Sequence, residues 1–583
     1  MRYKIVPPSS WIESSENNEK INVYEEILEK YKDNEVIFKL IKLDGKVKFL
    51  YKKDCKKYSE NLSQIIYKKA LKDITNNQHK IMAILSASEE SIIFMLASLR
   101  LGAHHCICFE DLSEIAILKR LEIFRPDLIL CKTNLSNKIK NVLEKYEDKN
   151  TKLFVLNLED LENFNYDKQS FKNIYSPNSS LFTLFTSGST GFPKAITHNV
   201  RSYLNYAKYS TNYFFGINKR SIIFTAVDAG WINGHTYAFY GPLLLGAVSV
   251  INENPIFISM PDLLAQYLAD LEIDCFYTSV TQLRLIKSVV SSEKKLSNFT
   301  DKNINLERIG SCGEPLAHSV GKWALKFFKP TKCSIVNTYF QTETGGVLVA
   351  PREEDGNNND FSCVGKPNPK LGLNVANNLM SHKELVDEGL EPNELLVCNK
   401  WDGVFKEIIS DKDSKYFTKS GFFRLSDVGH FDKDGFLYIG GRSDDVINVS
   451  GHRISSSEIE SISLSLDQII EACAVSIPDS LSGSRVILFI TPNSEENNLS
   501  SKLKIKLQHT IIDNLSSFHL PKEIYIFRNL PKTKSGKIMR RIMRDLVIKK
   551  TFDKSMDFST LANMDKFLES KNQFLNFIQD QIN

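Results

Sequence analysis

"HKIMAILSASEESIIFMLASLRLGAHHCICF", running from His79 to Phe109, changes its hydrophobic period twice. "HKIMAILSAS" is a short apolar run and reads as a buried strand. "EESIIFMLASLRLGA" is longer, opens on two acids and reaches Gly102, which reads as a helix with its stop, and "HHCICF" is a second buried strand. Two apolar strands joined by a helix predict a parallel pair with a covering crossover. The rhythm continues in "EIAILKRLEIFRPDLILC" (114–131), a helix closed before Pro126 and then another strand. Runs at 181–187 ("LFTLFTS"), 220–227 ("RSIIFTAV"), 246–251 ("GAVSVI"), 274–279 ("DCFYTS") and 333–340 ("CSIVNTYF") each adjoin a turn or helix signal. The predicted class is α/β with a largely parallel sheet covered on both faces.

Beyond "GGRSDD" (440–445) the pattern shifts to a smaller α/β segment: a helix in "SSSEIESISLSL", strands in "ACAVSIPDS" and "SRVILFITP", a helix in "LKIKLQHTIIDNL" and a last strand in "KEIYIFRNLP". The expected boundary divides a domain of residues 1–443 from one of residues 444–583, with the hinge at Asp444. A chain of 583 residues exceeds one ordinary core, so several folding units are expected. With 42% hydrophobic and 25% charged residues and a net charge of +4, the composition is that of a globular protein and points to neither nucleic acid nor membrane insertion. The ten cysteines include no CxxC pair and fall in apolar runs, which predicts reduced, buried thiols and a cytoplasmic protein.

Several Gly- and hydroxyl-rich stretches stand just after predicted strands: "TSGSTG" (186–191), "DAGWINGH" (228–235) and "QTETGG" (341–346). In open α/β sheets ligands lie beyond the carboxyl ends of strands, so this shared placement marks a site. "FTSGSTGFPKA" (185–195) fits neither a P-loop nor the dinucleotide fingerprint, because Gly188 is not followed at the required spacing by Gly-Lys-Ser/Thr and a third glycine is missing. Its backbone N–H groups and hydroxyls, with Lys194 as a point charge, still suit a phosphate.

Taken with "SCGEP" (311–315), "NTYFQTETGG" (337–346), "FRLSDVGHFDKDGFLYIGGRSDDVINVSGHRIS" (423–455) and "LPKTKSGKIMRR" (530–541), in one order over most of the chain, the sequence resembles the adenylate-forming superfamily of acyl-CoA synthetases, adenylation domains and luciferases. "DAGWINGHTYAFYGPLLLGA" (228–247) and "DFSTLAN" (557–563) are most similar to the acetyl- and propionyl-CoA synthetase branch. The resemblance implies a large N-terminal AMP-binding domain of mostly parallel sheets with flanking helices and a smaller β subdomain, and a small mobile α/β C-terminal domain. It implies an acid–thiol ligase: a small carboxylic acid attacks the α-phosphate of Mg-ATP to give an acyl-adenylate and pyrophosphate, and a thiol then takes the acyl group. ATP, Mg²⁺ and CoA, or phosphopantetheine in its place, are the implied cofactors. The remaining alternatives are a stand-alone ligase that loads an acyl carrier protein and a nucleotide-binding scaffold without activity.

The roles implied by the resemblance fall on specific positions. Thr186, Ser187, Gly188, Ser189, Thr190, Gly191 and Lys194 handle the β- and γ-phosphates. Gly313, Glu314 and Pro315 lie against adenine, Thr338, Tyr339, Phe340, Gln341 and Thr342 complete the AMP site, and Asp427 accepts the ribose hydroxyls with Arg442 and Arg453 nearby. Thr342 and Glu343 are catalytic, Glu343 as the Mg²⁺ ligand, which suits an ion that takes few protein carboxylates and mostly phosphate oxygens. Lys537 bridges the attacking carboxylate and the α-phosphate. Gly451 and His452 line the thiol channel, and Trp231, Ile232, Asn233, Cys312 and Phe340 wall the acyl pocket. Where the acetate branch has tryptophan this chain has Phe340, so a deeper pocket for propionate- to valerate-sized or small substituted acids is expected.

Four departures from the family pattern stand out. Glu110 and Asp111 occupy positions usually small, near the nucleotide end of CoA, and Ile512 stands near a usual arginine; Lys119 or Arg120 is the expected compensation. Leu425-Ser426 replaces the usual Thr-Gly before Asp427. Ala195 replaces a glycine, a change tolerated unless the backbone there needs positive φ.

Overall fold

The computed structural model describes residues 2–11, 20–72, 74, 78–162, 175–186, 193–254, 260–293, 304, 306–329, 335–356, 360–410, 416–443, 447–449, 452–454, 456–479, 483–493, 499–515, 519–532, 538–549, 561, 565 and 567–572. The opening stretch forms the elements expected of it. Lys80–Ile84 and His104–Cys108 pair in parallel, joined by the helix Glu89–Arg100. Ser88 caps that helix by accepting the Ser91 N–H, Glu89 and Glu90 favour its positive end and Arg100 its negative end. Residues 91–99 are buried all round the helix, because it packs between strands Lys80–Ile84 and His104–Cys108 on one side and the helices Val23–Leu28 and Lys52–Ile66 on the other.

Among the described residues the first sheet runs in the order Tyr3–Ile5, Glu407–Ser410, Lys194–Asn199, Ser180–Thr186, His104–Cys108, Lys80–Ile84, Leu128–Lys132 and Lys152–Leu156. The second runs Ile335–Asn337, Arg308–Cys312, Cys275–Ser279, Ile222–Thr225, Val248–Asn252, Val36–Ile41 and Val47–Tyr51. Most of their strands are parallel, as expected, including the edges Lys152–Leu156 and Ile335–Asn337, but the opposite side of each sheet is antiparallel. Ser180–Thr186 pairs antiparallel with Lys194–Asn199, which pairs antiparallel with Glu407–Ser410, and Val36–Ile41 pairs antiparallel with Val47–Tyr51. The phosphate-loop sequence therefore joins a β-hairpin, with Thr186 opposite Lys194, and does not lead from a strand into a helix. Ala195 sits buried in the second hairpin strand without positive φ, so the missing glycine is tolerated.

A third, antiparallel sheet of Leu373–Val375, Glu394–Val397, Phe423–Phe431 and Leu437–Arg442 forms a β layer of its own. The C-terminal unit contains His452–Ile454, Ile447–Val449, Gly483–Pro492, Ile469–Asp479 and Glu523–Ile526, with the helices Ser456–Ser463, Leu499–Asn514 and Arg540–Lys549. Its apolar residues Ile459, Leu464 and Leu466 join one continuous core with Val320, Ala324 and Phe328 of the large unit. Asp444 lies outside the described residues.

Candidate active site

Side chains from the hairpin of the first sheet, from the segment after Ile335–Asn337 and from the third sheet meet in one region. The turn Thr342–Thr344 is braced through its backbone from several distant elements. His198 Nε2 lies 2.8 Å from the Thr342 carbonyl and donates to it; Phe405 N–H donates to the Glu343 carbonyl at 3.1 Å and Trp401 Nε1–H to that of Thr344 at 3.2 Å. Gly345 closes the turn at φ +70°, where an added Cβ would meet the Gly403 carbonyl oxygen at 2.4 Å, so position 345 requires glycine on both counts. With its backbone held, the Glu343 side chain is left to face the Tyr416 hydroxyl, which donates to Oε1 at 3.2 Å. Lys194, projecting from the hairpin strand, reaches the same hydroxyl at 3.1 Å.

Asp427 is buried at 7% exposure and its Oδ2 accepts from Tyr339 at 2.7 Å and from Gln341 at 2.6 Å, while Arg442 approaches Oδ1 at 3.4 Å. A carboxylate offers about four acceptor directions, so Oδ1 retains capacity for a ribose hydroxyl. Burial and the Asp427 charge push the Tyr339 phenol well above its usual range, which keeps it a donor. Ser426, the residue replacing the family glycine, has φ +53° in an irregular part of the strand Phe423–Phe431. The conformation glycine adopts freely is thus imposed on serine, at a cost of about 1 kcal/mol, and Asp427 is still delivered.

Glu314, beside the exposed Gly313 and Pro315, accepts from both Thr281 and Arg284. Burial raises its pKa, but the Arg284 charge, those hydrogen bonds and Arg540 outweigh burial and hold it below the usual carboxylate range. Arg540 itself grips Glu460 within the small unit, so its influence on Glu314 links the two units at the expected adenine wall.

Among the residues expected to wall the acyl pocket, Asn233 Nδ2–H donates to Cys312 Sγ at 3.2 Å, and Cys312 in turn to the Thr278 carbonyl at 3.4 Å. Burial raises the Cys312 thiol to about 12, so it remains protonated. Phe340 packs where the apolar groups containing Ile232 and Cys312 meet. Trp231 packs on Phe109, ring centroids 5.2 Å apart. Beneath this wall His105 and His235 stack at 5.8 Å, and burial holds His235 down to about 3 and His198 to about 4. The site floor is a neutral aromatic and imidazole layer.

Of Lys119 and Arg120, expected to compensate at the nucleotide end of CoA, Arg120 is corrected. Arg120 is 3% exposed, donates to the Ala116 carbonyl of its own helix and faces the Phe185 ring, so it is committed to the interior. Lys132 pairs with Glu110 at 3.1 Å and Lys138 donates to its backbone carbonyl. Ile512 is exposed on the helix Leu499–Asn514.

Of the residues expected at the site, Thr186, Lys194, Trp231, Ile232, Asn233, Cys312, Gly313, Glu314, Pro315, Thr338 to Glu343, Asp427 and Arg442 are described; most lie at or after strand ends, whereas Asp427 stands in the middle of the strand Phe423–Phe431. Ser187, Gly188, Ser189, Thr190, Gly191, Asp444, Gly451 and Lys537 lie outside the described residues; His452 and Arg453 fall in the strand paired with Ile447–Val449. His198, Arg284 and Tyr416 belong to no motif and were not expected; Tyr416 stands 222 positions from Lys194, so only the fold relates them. The described cysteines are all free, as anticipated, and among the described residues no helix is long and apolar enough to cross a membrane.

Residues 69–389 match the AMP-binding enzyme family and residues 458–537 the AMP-binding enzyme C-terminal domain. The chain is 33% identical over 513 residues to acetyl-coenzyme A synthetase 2 of Candida albicans, covering 82% of this chain and 74% of that one. It is 33% identical over 398 residues to acetyl-coenzyme A synthetase of Serratia proteamaculans, covering 67% of this chain and 59% of the relative, so that match spans under two thirds of the relative's length. The fold superposes on acetoacetyl-CoA synthetase from Streptomyces lividans with a TM-score of 0.77 at 17% identity, over 96% of this chain and 86% of that one. A buried aspartate held by a phenol and an amide, a lysine and a glutamate converging on one hydroxyl, and a third of the aligned residues shared with an acetyl-coenzyme A synthetase along most of the chain have one common origin: this protein belongs to the AMP-binding enzyme family, among the acid–thiol ligases of the adenylate-forming superfamily.

Proposed function

We propose that the chain is an AMP-forming acyl-CoA synthetase acting on a short-chain carboxylic acid larger than acetate. The acid's carboxylate oxygen attacks the α-phosphorus of ATP, the bond to the β-phosphate bridge breaks and pyrophosphate leaves; the thiol of CoA then attacks the acyl carbon and AMP leaves with the bonding pair. The observation that carries the reading is the convergence of Lys194 and Glu343 on one hydroxyl, with Asp427 buried nearby as the ribose acceptor. Two like-charged reactants are brought together chiefly by placed cations and oriented donors, and these residues supply such groups.

Among the described residues no group of three or more His, Cys, Asp or Glu is placed to hold a metal. Glu343, carrying one hydrogen bond on a single oxygen, suits Mg²⁺, which uses one or two protein carboxylates with phosphate oxygens. Bound there, Mg²⁺ would neutralise phosphate charge. Lys537 is assigned the α-phosphate, Ser187, Ser189 and Thr190 the outer phosphates, Arg442 and Arg453 the ribose and phosphate, and Gly451 with His452 the thiol channel. Asp444 is the proposed hinge between residues 1–443 and 444–583, about which the small domain reorients between the two half-reactions.

Phe340, smaller than indole, supports an acid with one or more methylenes beyond acetate. The Glu110–Lys132 pair supports CoA over a carrier-bound phosphopantetheine, since a paired carboxylate repels the 3′-phosphate less than a lone one. Acid-dependent exchange of pyrophosphate into ATP, across acetate, propionate, butyrate, valerate and their hydroxy derivatives, tests the first step, and CoA against a phosphopantetheine carrier tests the second. Exchange that rises from acetate to butyrate, with thioester formed on free CoA, is expected; no exchange with any acid overturns the reading.

A further inference from the structure

Tyr416 lies in an aromatic run, Tyr416-Phe417, that reads as core and behaves as core: it is 8% exposed and packs edge-on to Phe405 with ring centroids 5.5 Å apart. Its hydroxyl, however, points out of that core between two charged groups. Lys194 Nζ lies 3.1 Å away and Glu343 Oε1 3.2 Å away, and the ammonium also sits 5.4 Å from the centre of the phenol ring. An ammonium has only donors, and a phenol at neutral pH has one proton. The directions are therefore forced: Lys194 donates to the phenol oxygen, and the phenol donates to Glu343.

This arrangement does two things. One carboxylate oxygen of Glu343 is fixed by a donor that carries no charge, which leaves the other oxygen and the full negative charge for a cation. Lys194, a flexible side chain that loses rotamer freedom when ordered, is already held near the place where it is needed. A direct Lys194–Glu343 ion pair would have cancelled both charges; the intervening hydroxyl keeps them apart yet aligned.

We propose that Tyr416 is a positioning residue of the adenylation half-reaction, its hydroxyl spacing Lys194 from Glu343 and orienting both for the nucleotide triphosphate. The proposal rests on the adenylating reading of this site. In the ligand-free protein the hydroxyl holds Lys194, and the arriving phosphates take the ammonium over while Glu343 stays oriented by the remaining hydrogen bond.

Tyr416→Phe keeps the ring, its packing and the cation–π contact and removes only the bridge. ATP binding, read by calorimetry without acid and both with and without Mg²⁺, should weaken about five- to tenfold, the scale of one hydrogen bond to a charged group. The KM for ATP in pyrophosphate exchange should rise by a similar factor, while thioester formation from supplied acyl-adenylate stays within about twofold. In a Lys194→Met background the effect of Tyr416→Phe on ATP binding should shrink, because one partner is already gone. Unchanged ATP affinity, equal losses in both half-reactions, or fully additive double-variant effects would overturn the proposal. Absence of exchange in the wild type overturns the adenylating reading alone, since calorimetry still reads the role of Tyr416.

Discussion

The proposed nucleotide side and the proposed acyl side of this site are built from opposite materials. On the nucleotide side Asp427, Tyr339, Gln341 and Arg442 form a charged cluster, and Lys194, Tyr416 and Glu343 form a second. On the acyl side Ile232, Phe340 and Cys312 present apolar surface, with one amide, Asn233, turned onto a thiol. Charged hydrogen bonds are directional and act on reacting phosphates, so each one is worth orders of magnitude in rate. Apolar contacts scale with area, so each one moves selectivity between neighbouring acids by a modest factor. Under the proposed assignment, chemistry and substrate choice are separated, and the two should be alterable independently.

The sharpest way to break this contrast is on the nucleotide side. Lys537→Ala should lower adenylate formation about a thousandfold, the scale of removing a cation from a phosphoryl-type transition state, yet leave thioester formation from supplied acyl-adenylate near wild type. Equal loss in both half-reactions, measured separately, would show that the lysine serves the whole fold and not the α-phosphate.

The acyl side should respond more mildly. Phe340→Trp should shift the ratio of kcat/KM for acetate over butyrate upward by about 10- to 100-fold, as expected for one or two methylenes of pocket depth. A variant with no shift toward acetate would mean that another wall sets the size limit.

The layer beneath both sides offers a third test, on stability. The folded pKa of His198 lies at about 4, below its unfolded value, because burial disfavours the imidazolium. The unfolded chain therefore takes up a proton first as pH falls, and stability present above about pH 6.5 is lost between there and about pH 4, by about 2 kcal/mol between pH 7 and pH 5. The urea midpoint should fall over that interval, and less steeply in His198→Gln; identical slopes would remove His198 from the acid response.

The smallest effect is expected at Asn233. Because its amide already donates to Cys312, Asn233→Leu should change kcat/KM for plain acids by less than about threefold. A selective loss for the hydroxylated acids would return to Asn233 a substrate contact and narrow the contrast between the two sides.

Much of this site could be read from the chain alone because its residues sit in short segments that end strands. Thr186, Glu314 and Glu343 stand at or just beyond strand exits, and the run from His79 to Phe109 announces the fold by period. Residues of the same importance inside ordinary core sequence left no such mark. Tyr416 and His198 look like packing because they are packing, with only one polar atom each turned to the site. Of the two cations expected to compensate at the nucleotide end of CoA, Arg120 proved to be turned inward.

What the amino-acid sequence determined by itself was the local order of elements, the α/β class, and the residue types that chemistry demands at each strand exit, since period, turn chemistry and charge are properties of neighbouring residues. What the tertiary structure alone decided was pairing: the antiparallel hairpin beneath the phosphate loop, Lys132 against Glu110, Arg284 against Glu314, a serine held at φ +53°, and one phenol between Lys194 and Glu343. These depend on contacts between segments tens to hundreds of residues apart. Such contacts follow from how two sheets and their helices pack against each other, and no local window of the chain contains that information.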